Sequence, residues 1–115
     1  MVITSATDLK TDVSAILFNH RGRENAVTGL DIARRLGHNE NRAVRRAIRE
    51  LINEGVPIAS VTMPPAGYFI VATKDEADTY LQHLRDLLIE DAKRRRDFKV
   101  CAMQHLENVR QGMFW

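Results

Sequence analysis

The stretch that decides the fold is LGHNENRAVRRAIRELINEG, residues 36–55, in which a run rich in arginine lies between two glycines. At about 100° per residue, the arginines fall within an arc of about 100° on a helix. They are Arg42, Arg45, Arg46 and Arg49. The opposite side holds Val44, Ala47, Ile48, Leu51 and Ile52. We therefore expect one face to be buried, and the other either to meet an anionic partner or to stay a solvated charged face with Glu50 and Glu54 as local partners.

Capping boxes and glycines predict the neighbouring elements. Apolar residues recur at helical spacing over residues 8–19, which predicts a helix. Thr28 and Asp31 form a T-x-x-D capping box before a short helix that Gly37 ends. Asn39 or Asn41 is the candidate N-cap of the arginine helix. VPIASVT and GYFIVAT then predict a β-hairpin, and the T-x-x-E of Thr73 and Glu76 predicts the start of a further helix.

Charge is segregated along the chain, although the net charge of the 115 residues is only +2. Residues 34–49 carry six arginines and one glutamate, a net of +5. Residues 74–91 carry a net of −4, and KRRRDFK, residues 93–99, a net of +4. Such segregation allows a basic face on a nearly neutral protein.

No motif indicates catalysis, a metal or a cofactor. The sequence lacks a glycine-rich phosphate loop, H-E-x-x-H and C-x-x-C. Cys101 and His105 are spaced i, i+4, but two ligands do not make a zinc site. We therefore expect no enzyme, no cofactor, no metal and no small-molecule ligand. A single cysteine fits a cytoplasmic location, and the absence of a long apolar run or signal-peptide pattern leads us to expect no membrane partner.

The segment TGLDIARRLGHNENRAVRRAIRELINEGVPIASVTMPPAGYFIVAT, residues 28–73, resembles the winged helix-turn-helix DNA-binding domain of small bacterial and phage proteins, including biotin-repressor-type domains. The resemblance depends on the order of elements, on the Leu36-Gly37 turn and on GYF entering the last strand. It implies a mainly α fold with a small β-hairpin. A winged helix-turn-helix in residues 1–73 would precede a long C-terminal helical extension in residues 74–115.

The resemblance implies that the arginine helix lies in the DNA major groove. The residues that it offers to DNA are Asn41, Arg42, Arg45, Arg46 and Arg49, with Arg21 and Arg23 in the loop after the first helix. Arginine can bind a phosphate or the guanine edge with two hydrogen bonds, and Asn41 could read adenine or cap the helix. Arg21 and Arg23 either reach the DNA backbone or are solvated. The hairpin loop TMPPAG departs from the family pattern because it has no Lys or Arg.

The expected function is sequence-influenced binding of double-stranded DNA, by a bacterial or phage transcription regulator or replication-associated protein. The alternative is a winged-helix adaptor that binds protein and makes no direct contact with DNA. Fold alone does not separate the two, because winged helices also dock proteins.

The C-terminal extension carries an apolar stripe. We expect its first part, Ala77, Tyr80, Leu81, Leu84, Leu87 and Leu88, to pack on the winged domain. The stripe continues through Phe98, Ala102, Leu106 and Val109 towards Met113, Phe114 and Trp115, which predicts a homodimer held chiefly after Asp91. The alternative is a frayed tail. A continuous helix over residues 74–110 would be about 55 Å long, so we expect it either to break near residues 89–97 or to project from the domain. KRRRDFK either binds phosphate, pairs with the acidic stretch of a partner chain, or is a solvated helix face.

Overall fold

The computed structural model describes residues 6–112, with side chains from Leu9 onward. The chain is mainly helical with one small hairpin and a long C-terminal helix, which confirms the predicted fold class. The elements are α1 (Ala6–Leu17), a 3-10 turn (Arg23–Asn25), α2 (Gly29–Arg35), α3 (Arg42–Asn53), β1 (Ile58–Val61), β2 (Gly67–Ile70) and α4 (Lys74–Arg110).

The core is built from α1, α2, α3 and the hairpin. Helix α1 buries Leu9, Val13 and Leu17, which are spaced i, i+4, i+8 and so share one face. The other apolar residues buried in the described part of the chain are Val27, Ile32, Ala33, Val44, Ala47, Ile48, Leu51, Ile58, Ala59, Phe69 and Ile70. Every one precedes α4, so this set of elements forms a closed core of its own.

The hairpin is fixed to the segment before α2. Strands β1 and β2 pair antiparallel, with Ile58 opposite Ile70. The N–H of Val27 donates to the carbonyl of Tyr68 (2.9 Å), and the N–H of Tyr68 donates back to the carbonyl of Val27 (2.7 Å). A Cβ at Gly67 would lie 2.2 Å from the carbonyl oxygen of Val27, so only glycine allows this close approach.

Both threonine caps form as predicted. The hydroxyl of Thr28 accepts the N–H of Asp31 (3.0 Å), and the hydroxyl of Thr73 accepts the N–H of Glu76 (3.2 Å). The Asp31 carboxylate forms an ion pair with Arg35 (2.8 Å). The start of α2, which precedes the turn into α3, is therefore set by local contacts.

The chain divides into two compact units, with the boundary after Tyr80. The first seven residues of α4 belong to the first unit, and the rest of the helix, from Leu81, forms the second. Helix α4 is continuous through residues 89–97, where a break was one of two expectations. The expectation that the first part of the α4 stripe packs on the core is wrong for Leu81, Leu84, Leu87 and Leu88, which are exposed. Ala77 and Tyr80, which begin the stripe, are half-buried.

Candidate nucleic-acid interface

Helix α3 separates an arginine face from a buried face. Its four arginines, residues 42, 45, 46 and 49, are all exposed, whereas Val44, Ala47, Ile48 and Leu51 are buried. The expectation that Ile52 lies on the buried face is wrong, because its side chain is 45% exposed. At about 100° per residue, Ile52 lies beside Arg45 at the margin of the arginine face.

The acidic residues at the end of α3 do not neutralise this face. Glu54 forms an ion pair with Lys10 of α1. The hydrogen bond that Lys10 donates to the Glu54 carboxylate raises the pKa of Lys10, and the charge of Glu50 acts on that pKa in the same direction. Among residues 9–112, whose side chains the structure describes, no carboxylate forms an ion pair with any of the four α3 arginines. The α3 arginines therefore present uncompensated positive charge to solvent.

Tyr68 of β2 lies at the edge of the arginine face. It is half-buried, and burial raises the pKa of its phenol, while the positive charge of Arg45 acts to lower that pKa. Tyr68 of β2 therefore lies within electrostatic range of Arg45 of α3. The sequence does not indicate that Tyr68 lies near Arg45, because alternation along a strand predicts only that at least one of Tyr68 and Phe69 is a core residue. Phe69 is buried, as that expectation required.

Asn41 holds the N-cap position of α3 but makes no capping hydrogen bond through its side chain. Its amide nitrogen and the ring of Tyr68 both lie against Gly29, because a Cβ at Gly29 would be 3.2 Å from each. Asn41 is half-buried there. Asn41 is therefore the N-cap residue of α3, as predicted, but its amide packs beside Gly29 and does not cap the helix with a hydrogen bond. Asn41 precedes Arg42 directly, so it lies at the start of the arginine helix.

Arg23 anchors the hairpin loop. Its guanidinium donates to the carbonyls of Pro65 (2.7 Å) and Met63 (2.8 Å). The guanidinium of Arg23, about 40 positions away in the sequence, thus places a positive charge beside the hairpin loop, which has no Lys or Arg of its own. The two alternatives considered for Arg23, contact with DNA or solvation, omitted this role, because no local sequence signal indicates a contact between distant segments.

Arg21 is exposed to solvent, which is compatible with both of its alternatives, contact with the DNA backbone and solvation. Its backbone forms a parallel bridge with Ile70, and its carbonyl accepts the side-chain N–H of Asn25 (2.7 Å). The backbone of Arg21 therefore lies beside the end of β2, and within residues 9–112 its guanidinium has no hydrogen-bond or ion-pair partner.

Glu76 joins three segments near the base of the hairpin. Its carboxylate accepts the backbone N–H groups of Ala72 (2.8 Å) and Arg23 (2.8 Å). These hydrogen bonds lower the pKa of Glu76, because they stabilise its charged form. The contact holds the backbone of Arg23 in place, and so supports the guanidinium that anchors the loop.

The residues predicted to hold a dimer lie on the second unit. Phe98 is 72% exposed, Leu106 and Val109 are exposed, and Ala102 is half-buried. Their contact with a second chain stays a prediction.

No group of three or more potential metal ligands occurs in the described part of the chain, and none of its helices is long and apolar enough to cross a membrane.

In comparisons with known proteins, no family model, curated protein or solved structure gives a significant match to this chain. The resemblance to winged helix-turn-helix domains therefore depends on the residues and on the order of the elements alone.

Proposed function

We propose that the first unit is a winged helix-turn-helix domain that binds double-stranded DNA through the arginine face of α3. The observation that carries the proposal is the pairing pattern of α3. Within residues 9–112 its four arginines are exposed without carboxylate partners, while Glu54 is paired with Lys10. The acid that follows the helix is thus engaged by a lysine of α1 and leaves the arginine face positive.

The proposed mechanism is binding by charge and shape. Each guanidinium can bind a phosphate oxygen pair or the O6 and N7 atoms of guanine, and phosphate contacts release condensed counterions. The buried face of α3 holds the helix rigidly, so the arginines are presented with little loss of backbone freedom on binding. Phosphate contacts position the domain, and any arginine that reaches a base edge makes the binding sequence-influenced.

Asn41 and Arg21 extend the proposed contact set, because Asn41 lies at the start of the arginine helix and the Arg21 guanidinium is exposed. We leave Arg23 out of direct contact, since two loop carbonyls occupy its guanidinium. The setting that we propose is a bacterial or phage regulator of transcription, or a replication-associated protein.

The test is fluorescence anisotropy with a labelled duplex of mixed sequence. Arg45→Gln combined with Arg49→Gln should weaken binding by about ten-fold or more, because two arginine contacts are lost. The matched control is Lys74→Gln with Arg110→Gln, which removes the same charge from cations that are already paired with Asp78 and Glu107. Circular dichroism should show that both variants are folded.

The control should bind nearly as tightly as the parent protein. Parent-like binding by the folded α3 variant would overturn the proposal, and so would an equal loss in the control, because that loss would reflect bulk charge. A parent protein that binds no duplex at low salt would favour the protein-binding adaptor.

A further inference from the structure

The exposed face of α4 follows the spacing of a coiled-coil seam. From Leu81 onward, the residues at alternating steps of three and four form one line along the helix. They are Leu81, Leu84, Leu88, Asp91, Arg95, Phe98, Ala102, His105 and Val109. Each is exposed except Ala102, which is half-buried. Leu81, Leu84 and Leu88, which the core does not use, therefore belong to the same seam as Phe98 and Ala102.

Two opposite charges lie at the middle of this seam. Asp91 and Arg95 occupy consecutive seam positions, with apolar residues on both sides. Both are exposed, and within residues 6–112 Arg95 forms no ion pair. In a single chain Asp91 pairs with Arg94 (3.5 Å), and both seam charges interrupt the apolar stripe. In a paired seam they restrict which orientation and register of the two helices is stable.

We infer that the seam is covered by a second copy of this chain, antiparallel, with the two helices crossing at Lys93. In that register Asp91 of each copy faces Arg95 of the other. The next layers place Leu88 against Phe98, Leu84 against Ala102 and Leu81 against His105. If Leu81 is heptad position a, the seam alternates between a and d positions, and every layer pairs an a position of one copy with a d position of the other. The inference does not depend on DNA binding.

The charges exclude the other arrangements. A parallel, in-register pair would stack Asp91 on Asp91 and Arg95 on Arg95, which places like charges together in the seam. Sliding the antiparallel pair by one heptad in either direction would place both charges against apolar side chains, where they are buried without partners. The crossing at Lys93 also brings the acidic residues before the crossing alongside the basic run KRRRDFK of the other copy.

One pair of like charges remains in this arrangement. Arg94 of one copy lies near Arg94 of the other, beside the crossing point. Each Arg94 already pairs with Asp91 of its own chain (3.5 Å), which offsets part of the repulsion. We therefore expect added salt to strengthen this contact slightly and to weaken the Asp91–Arg95 contacts.

Disulfide cross-linking tests the orientation. In a Cys101→Ser background, Leu84→Cys combined with Ala102→Cys should yield a covalent dimer on mild oxidation, because these positions face each other between copies. The controls are the two single cysteine variants, which should give little cross-linked dimer. Efficient cross-linking by Leu84→Cys alone would indicate a parallel pair and would overturn the inference, as would no cross-linking of the double variant.

Sedimentation equilibrium of the full chain tests the charges. Asp91→Arg should raise the dissociation constant of the dimer by at least about ten-fold, because Arg then faces Arg in both symmetry-related pairs. Adding Arg95→Asp to that variant should restore the dimer. The matched control is Asp97→Arg, at an outward position of the helix, which should leave the dimer nearly unchanged. A monomeric parent at tens of micromolar, an equal loss in the Asp97 variant, or no rescue in the folded double variant would each overturn the inference.

Discussion

At the scale of single residues, arginine has two roles in this protein, and the groups near each guanidinium determine which role it has. Arg23 is within hydrogen-bond distance of two hairpin-loop carbonyls and holds the loop. Arg42, Arg46 and Arg49 lie on a helix whose own carbonyls are already bonded, and they face solvent. All of these arginines are evident in the sequence, but only the tertiary structure distinguishes those that stabilise the fold from those that are exposed and available to a partner.

Gly67 gives a prediction at this scale. Gly67→Ala should lower the free energy of unfolding by about 3 kcal/mol or more, because the methyl group would overlap the Val27 backbone as well as strain a positive φ. Gly55→Ala is the matched control, since Gly55 also has a positive φ but has nothing within 4 Å of an added Cβ. It should cost only about 1–2 kcal/mol. Urea unfolding of both variants measures the difference, and equal losses would contradict the close approach of β2 to Val27.

At the scale of elements, local signals predicted what local interactions determine. The caps at Thr28 and Thr73, the hairpin and the continuous helical pattern after Thr73 were all predictable, because each depends on residues a few positions apart. The Lys10–Glu54 pair and the Arg23 anchor were not, because their partners are about 40 residues apart. The prediction that Leu81, Leu84, Leu87 and Leu88 are buried was wrong, because an apolar stripe does not indicate which surface covers it.

Glu76 gives a prediction at the scale of elements, because its carboxylate connects the turn after α1, the end of β2 and the start of α4. Its pKa in the folded state lies below the ordinary value of 4.5. The stabilisation is therefore fully present above about pH 4.5 and is lost as the pH falls through the lowered pKa. Glu76→Gln should reduce the free energy of unfolding at pH 7.

The difference between the parent and the Glu76→Gln variant should shrink as the pH falls below 4.5, as measured by urea unfolding from pH 7 to pH 3. Glu40→Gln, at an exposed glutamate, is the control and should show a smaller difference at pH 7. A Glu76→Gln difference that stays constant over this pH range would contradict the role of the ionised carboxylate.

At the scale of the whole molecule, the chain has two units of different physical character. The first closes an apolar core and exposes the arginine face, and the second is a helix whose apolar seam is exposed in the single chain. The total charge of +2 conceals this organisation. Segregation into a basic helix α3, an acidic stretch and a second basic run is what makes both the proposed DNA contact and the proposed antiparallel pairing electrostatically feasible.

The most direct test of the central claim is the salt dependence of duplex binding by the full chain. If the four arginines of α3 contact phosphates, the logarithm of the binding constant should fall with the logarithm of salt concentration with a slope of about −3.6 per recognition helix. Arg45→Gln with Arg49→Gln should flatten that slope by about 1.8. The Lys74→Gln, Arg110→Gln control should leave it unchanged. A folded Arg45, Arg49 variant with the parent's affinity and slope would contradict the assignment of α3 as the DNA-binding helix.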